Sequence, residues 1–153
     1  MKIMLIWTAK TKDPRLSQMV ADYAQRIRHY LELSVLELKP GAGNTPERIL
    51  EGEESRLLEK LNDRDFLVLL DPKGEELTSV ELADWMGEFR EYSGRRLVFV
   101  VGGHYGVGAR VKSRAHRLLS LSRMTLTHEM ARVVLLEQIY RALTLIHRVP
   151  YHK

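Results

Sequence analysis

Short apolar runs alternate along this chain with stretches whose apolar residues recur every three or four positions. Residues 2–7 are a continuous apolar run suited to a buried strand. Pro14 then opens a helix with Asp13 as its N-cap. Leu16, Met19, Val20, Tyr23, Ile27 and Tyr30 make one apolar stripe along it. Residues 34–38 read as a second strand and 39–44 as a loop. Thr45 and Pro46 start the next helix as N-cap and N1, with Ile49, Leu57, Leu58 and Leu61 on its apolar side. Residues 66–70 form a third strand, stopped by the turn sequence Asp71-Pro-Lys-Gly74. Thr78 and Glu81 have capping-box spacing before a helix over 80–92, and residues 97–101 are a fourth strand.

Strands that alternate with helices and read as unbroken apolar runs imply a parallel sheet covered on both faces. The expectation is one α/β domain spanning residues 1–153. The last helix, through residues 130–146, carries apolar side chains over far more than a third of its circumference. A surface helix needs only one stripe, so a second face must be covered. A partner subunit, with Leu143 on the face it covers, is the economical answer; a deeply buried central helix is the other.

Composition narrows the chemistry. With no cysteine, zinc ribbons, thiol catalysis and disulfide frameworks are excluded. The N-terminal apolar run is shorter than a signal-peptide core, and no apolar stretch approaches a membrane span, so the cytoplasm is the expected location and no membrane partner is expected. The formal charge of +4 leans mildly towards an anionic partner. Arg110, Lys112, Arg114, Arg117 and Arg123, with His116, occupy a segment free of acids. A solvated basic face and contact with a phosphate backbone fit that segment equally.

The candidate site follows the fourth strand. Gly102, Gly103, Gly106 and Gly108 form a loop at a strand's carboxyl end, where open α/β sheets bind ligands and where glycine lets backbone amides come close. A tight turn without chemistry is the alternative. The dinucleotide spacing fails, and Val111 replaces the glycine that a Walker A loop requires. His104, His128 and His152 lie on or beside this region, but His128-Glu129 is not followed by a second metal-spaced histidine, so no metal is expected. No Gly-x-Ser-x-Gly elbow supplies a hydrolase nucleophile. Arg132 lies one helical turn beyond His128, and Glu137 and Arg141 have ion-pair spacing.

Gly102-Gly103 after Val-Phe-Val-Val, the run Leu121-Ser-Arg-Met-Thr-Leu126 followed by His128 and Arg132, Glu137-Gln-x-Tyr-Arg-Ala142, and the end Tyr151-His152-Lys153 together resemble one family. It comprises small bacterial methyltransferases that modify N3 of a pseudouridine in helix 69 of 23S rRNA, within the knotted SPOUT class. The resemblance covers the whole chain and is densest after Phe66. It implies a C-terminal trefoil knot, an exception to the rule that chains avoid knots, and a homodimer packed through the long helix. It implies S-adenosylmethionine held by Leu70, Gly102, Leu121, Ser122, Arg123, Met124, Thr125 and Leu126. Two positions depart from the family pattern: Thr127 stands where proline is usual before the histidine, and Thr8-Ala9-Lys10 where Gly-Lys is usual.

The reaction so implied moves a methyl group to an imide nitrogen, which must lose its proton. His128, Arg132, Tyr151 and His152 are the candidate catalytic residues, with Arg132 assigned to orientation and charge stabilisation. His152, His128 and water are alternatives for the proton acceptor. Tyr151 could stack on the extruded base, from one subunit's tail into the other's site. The competing functions are a SPOUT enzyme acting on tRNA and a ribosome- or RNA-binding factor without catalysis.

Overall fold

A computed structural model describes residues 1–151. The elements run β1 (Lys2–Thr8), α1 (Pro14–Arg28), β2 (Glu32–Leu38), α2 (Pro46–Leu58), β3 (Phe66–Glu76), α3 (Ser79–Tyr92), β4 (Leu97–Val101), α4 (Ala109–Arg114), β5 (Arg117–Ser120) and α5 (His128–Ile146). All five strands pair in parallel, in the order β2-β1-β4-β3-β5. The expected caps form: Asp13 accepts from the Arg15 amide, Thr45 from Arg48, and Thr78 and Glu81 close a reciprocal capping box.

The strands alternate between two apolar layers, as period-2 side chains must. Ile3, Leu5, Trp7, Leu97, Phe99 and Val101 face α1, α3 and α5. Met4, Ile6, Leu67, Leu69, Val98 and Val100 face α2 and α4. Because β4 is buried at every position, the ends of the strands are where the sheet meets solvent. The connections after β3 and β4 leave towards opposite faces, which opens a crevice at their carboxyl ends.

The surplus apolar surface of α5 is answered inside the chain. α5 packs between α1 and α3, and Val133, Leu135, Leu136, Ile139, Ala142 and Leu143 are all buried there. Leu143, assigned from sequence to a face awaiting a partner, is 1% exposed and belongs to the core. Of the two readings of this helix, deep burial in its own chain is the one the structure takes for Leu143.

Three local features depart from the sequence reading. α4 and β5 went unrecognised because each is short and charged, and only Val111, Leu119 and Ser120 within them are buried. The turn after Leu70 does not end β3. Leu70 and Glu75 both pair with Leu119, so residues 71–74 bulge outward and the strand resumes beyond them. Gly74 makes that possible, since a Cβ there would stand 2.6 Å from the Leu118 carbonyl carbon.

Leu143→Ala should therefore behave as a core truncation and lower stability by about 2–5 kcal/mol, read by urea unfolding. The sedimentation behaviour of the folded variant should match that of the parent.

Candidate functional site

A cavity of about 590 Å³ opens at the carboxyl ends of β3, β4 and β5. Leu70 comes from the end of β3, Gly102 from the turn after β4, and Leu121, Ser122, Met124, Thr125 and Leu126 from the loop between β5 and α5. His128 joins them from the first turn of α5. The structure thus gathers eight of the sequence candidates round one space. It adds Asp71, Gly103, His104, Ser120 and Ala131 to the walls. Asp71 was hidden because the turn holding it looked like a strand terminator rather than a bulge over the cavity.

Three candidates lie elsewhere, and a fourth is outside the described residues. Arg123 does not line the cavity; its side chain is 89% exposed, with Nε 3.8 Å from a Glu76 oxygen. Arg132 is buried beneath the site rather than in it. Tyr151 packs against Tyr140 and donates to Glu137 at 3.2 Å, on the flank of α5. Burial and the neighbouring Tyr23 and Glu137 push its pKa up, so it stays protonated at neutral pH. His152 lies outside the described residues.

The glycine loop is a tight turn with a bolt behind it. The Gly106 amide donates to the Gly103 carbonyl at 3.0 Å, and Gly106 has φ of 80°, a conformation that favours glycine. A Cβ on Gly102 would stand 3.1 Å from Val107 Cγ2, pressing on the loop itself. Glu54 of α2, only 8% exposed, accepts from the Arg110 amide at 2.7 Å, the Val111 amide at 3.2 Å and Arg110 Nε at 2.6 Å. It caps the start of α4 from another element, where a Cβ on Gly108 would collide with its carboxylate. Burial pushes this carboxyl up, but the Arg110 guanidinium and the two amides outweigh it and hold the pKa low.

On the opposite wall, Thr127 caps α5 by accepting from the Met130 amide at 3.2 Å, a role proline could not fill. His128 follows it into the cavity. Desolvation lowers its pKa, and the charges of Arg132, His104 and Lys12 add to that while Glu129 opposes it. Its ring is therefore neutral at pH 7 and free to accept a proton. Below it the Arg132 guanidinium donates to the Thr8 carbonyl at 2.8 Å and Thr11 Oγ1 at 2.9 Å, over the Trp7 ring.

The basic segment that stood out in the sequence is largely neutralised. Arg110 pairs with Glu54, Arg117 with Glu75 at 2.8 Å, and Arg123 and Lys112 approach Glu76 and Asp71 at 3.8 and 3.9 Å. Arg114 donates to the Asn62 carbonyl at 3.0 Å. Among the described residues no cluster of three or more acidic or histidine side chains could hold a metal, and no helix is long and apolar enough to cross a membrane.

Glu54→Gln should cost about 1–3 kcal/mol at pH 7, since it replaces a buried carboxylate that accepts from two amides and the Arg110 guanidinium with a neutral amide that must place an NH2 group among those donors. A carboxyl held low contributes stability above its unfolded pKa, near the ordinary 4.5, and loses it as pH falls through the lower folded value. Chemical unfolding at pH 7 and at acid pH should show the two proteins converging.

The family described as "Predicted SPOUT methyltransferase" matches residues 1–152. Over 152 residues, covering 99% of each chain, this sequence is 45% identical to the ribosomal RNA large subunit methyltransferase H of Trichlorobacter lovleyi. Over the same coverage it is 43% identical to the protein of that name from Citrifermentans bemidjiense and 42% identical to that from Geobacter metallireducens. The turn after β4, the loop before α5 and the crevice they enclose thus sit in a chain that matches these proteins from end to end, and the chain belongs to the SPOUT methyltransferase family.

Proposed function

We propose that this protein methylates 23S rRNA of the large ribosomal subunit, at N3 of a pseudouridine in helix 69, using S-adenosylmethionine in the cytoplasm. The observation that carries the reading is the crevice at the ends of β3, β4 and β5 in a chain matched along its whole length by large-subunit rRNA methyltransferases. Its volume of about 590 Å³ falls within the range of small-molecule sites. Leu70, Leu119, Leu121 and Leu126 offer apolar walls for a flat base, and Gly102 leaves backbone groups approachable. These residues fit an adenosyl group; Arg123, turned outward, is left out of that set.

When bound, S-adenosylmethionine supplies an activated methyl group, so the chain's own work is position and charge control. Leu70, Gly102 and the loop at 121–126 fix where the methyl donor sits. His128 presents a neutral imidazole at the cavity wall and takes the imide proton, directly or through a water. Arg132 acts from below: its buried positive charge favours the deprotonated, anionic imide and holds the segment after β1 in place. Because Arg132 does not line the cavity, it is a positioning and electrostatic residue rather than a group that touches substrate.

The reading includes the knotted C-terminal third and a homodimer. Met19 on α1 and Met130 on α5 remain exposed, and Leu16 and Val20 on α1 are half-buried; these apolar side chains left at the surface support a second subunit. The position of Tyr151 supports a shared site. It is tied to Glu137, nine residues and about 13 Å along α5 from His128. A tail that reaches a reacting base therefore does so in the other subunit's cavity, with Tyr151 stacking and His152 as a second proton carrier.

The decisive experiment is methyl transfer to ribosomes lacking the modification, compared with isolated 23S rRNA, with the modified nucleotide located by mass spectrometry. Transfer to helix 69 of the assembled ribosome supports the reading; transfer to tRNA alone would replace it. His128→Ala should lower kcat by about 10²-fold or more if the ring takes the proton. In the parent, activity should fall on the acid side only below the ordinary histidine value of 6.5, because the pKa is depressed. Deleting residues 151–153 should abolish transfer and spare cofactor binding measured by calorimetry. Mixing the truncated protein with His128→Ala should restore part of the activity, because one mixed dimer then holds one complete site.

A further inference from the structure

The segment between β1 and α1, residues 8–12, is held from several sides and yet leaves two charges unused. Arg132 donates to the Thr8 carbonyl and to Thr11 Oγ1. The Lys12 amide donates to the Glu129 carboxylate, and the Ala9 amide to the Leu38 carbonyl at 2.8 Å. Ala9 has φ of 65°, a left-handed conformation that non-glycine residues keep only where their surroundings enforce it. The anchors come from β2 and α5, so the segment is preorganised on two elements it does not belong to.

It also adjoins the site. Thr8 Cβ lies 3.8 Å from the place a Cβ on Gly103 would take, and Lys12 and Arg132 are among the charges felt by His128. Lys10 and Lys12 are both exposed, and neither ammonium group has an ion-pair partner among the described residues. The nearby acids are committed: Asp13 to Arg15, Glu37 to the Trp7 indole, and Glu129 to the Lys12 amide. This is the reverse of the segment over 110–123, whose cations are mostly spent on the protein's own carboxylates and carbonyls.

We infer that residues 8–12 are a docking arm for the substrate's sugar-phosphate backbone, with Lys10 and Lys12 meeting phosphates beside the nucleotide that enters the cavity. The inference rests on the reading of the chain as an rRNA methyltransferase. An ammonium group binds phosphate as a point charge and needs no fixed fork geometry, which suits an exposed arm. Arg132 and Glu129 are its positioning residues. They join the arm to the first turn of α5, so that phosphate contact and His128 share one rigid frame.

The test compares the parent with Lys10→Gln/Lys12→Gln and with Lys10→Arg/Lys12→Arg. Methyl transfer to unmodified ribosomes is followed over a series of salt concentrations, with cofactor affinity measured by calorimetry and folding by thermal melting. The Gln pair should raise KM for ribosomes about tenfold and flatten the log–log salt dependence by about one to two. Its cofactor affinity and melting should stay at parental values, and the Arg pair should keep the parental KM and salt slope. Unchanged KM and slope in the Gln pair would overturn the docking arm. So would an equal loss in the Arg pair, which would make shape rather than charge the cause. A parent that transfers no methyl to ribosomes would overturn the functional reading instead, and is told apart by that control.

Discussion

A guanidinium with no carboxylate partner among the described residues sits at the junction of β1 and α5, and the α5 wall of the site depends on it. Arg132 is fully buried, and its Nε has no hydrogen-bond partner among the described residues. Burying a cation is costly unless its surroundings compensate. Here the Thr8 carbonyl, the Thr11 hydroxyl and the Trp7 ring face do so directly, while Glu129 and Glu37 contribute at longer range. Burial pulls its pKa down from the usual range, yet an arginine remains a cation. The contacts cost each element its freedom: the backbone after β1 must present a carbonyl inward, and α5 must begin where His128 looks into the cavity.

The glycine loop is governed by the complementary device, a buried anion. Glu54 gives its carboxylate to two amides and a guanidinium at the start of α4, so a loop poor in side chains gains a defined shape from α2. Glycines at 102, 106 and 108 are needed for different reasons: crowding by Val107, a positive φ, and the closeness of that carboxylate. One side of the crevice is therefore shaped by an acid behind it and the other by a base beneath it. In both cases the charge stays out of the cavity, whose walls remain mostly apolar.

Charge elsewhere is distributed by the same economy. The resumed end of β3 sets Asp71, Glu75 and Glu76 against Lys112, Arg117 and Arg123. Exposed pairs of this kind add little stability individually. Their consequence is that the most basic stretch of sequence is not the most available positive surface. Availability passes to Lys10 and Lys12, which lie outside the basic segment that stands out in the sequence.

Much of the fold was legible because its signals are local. Short, mainly apolar runs marked the first four strands, and Asp13, Thr45, and Thr78 with Glu81 marked helix starts by hydrogen bonds that span three residues or fewer. The lining of the cavity by Leu70, Gly102, Leu121, Ser122, Met124, Thr125 and Leu126 was legible through resemblance, which singled out those loops together. What escaped depended on partners distant along the chain. Leu143 is apolar whether a second subunit or α1 and α3 cover it, and only packing chose the latter. Arg132 carries the same charge at the cavity wall or beneath it; contacts 121 and 124 residues away placed it beneath. A residue's type and local period state what it must bury or satisfy, whereas which surface does so is decided by elements that meet only when the chain has folded.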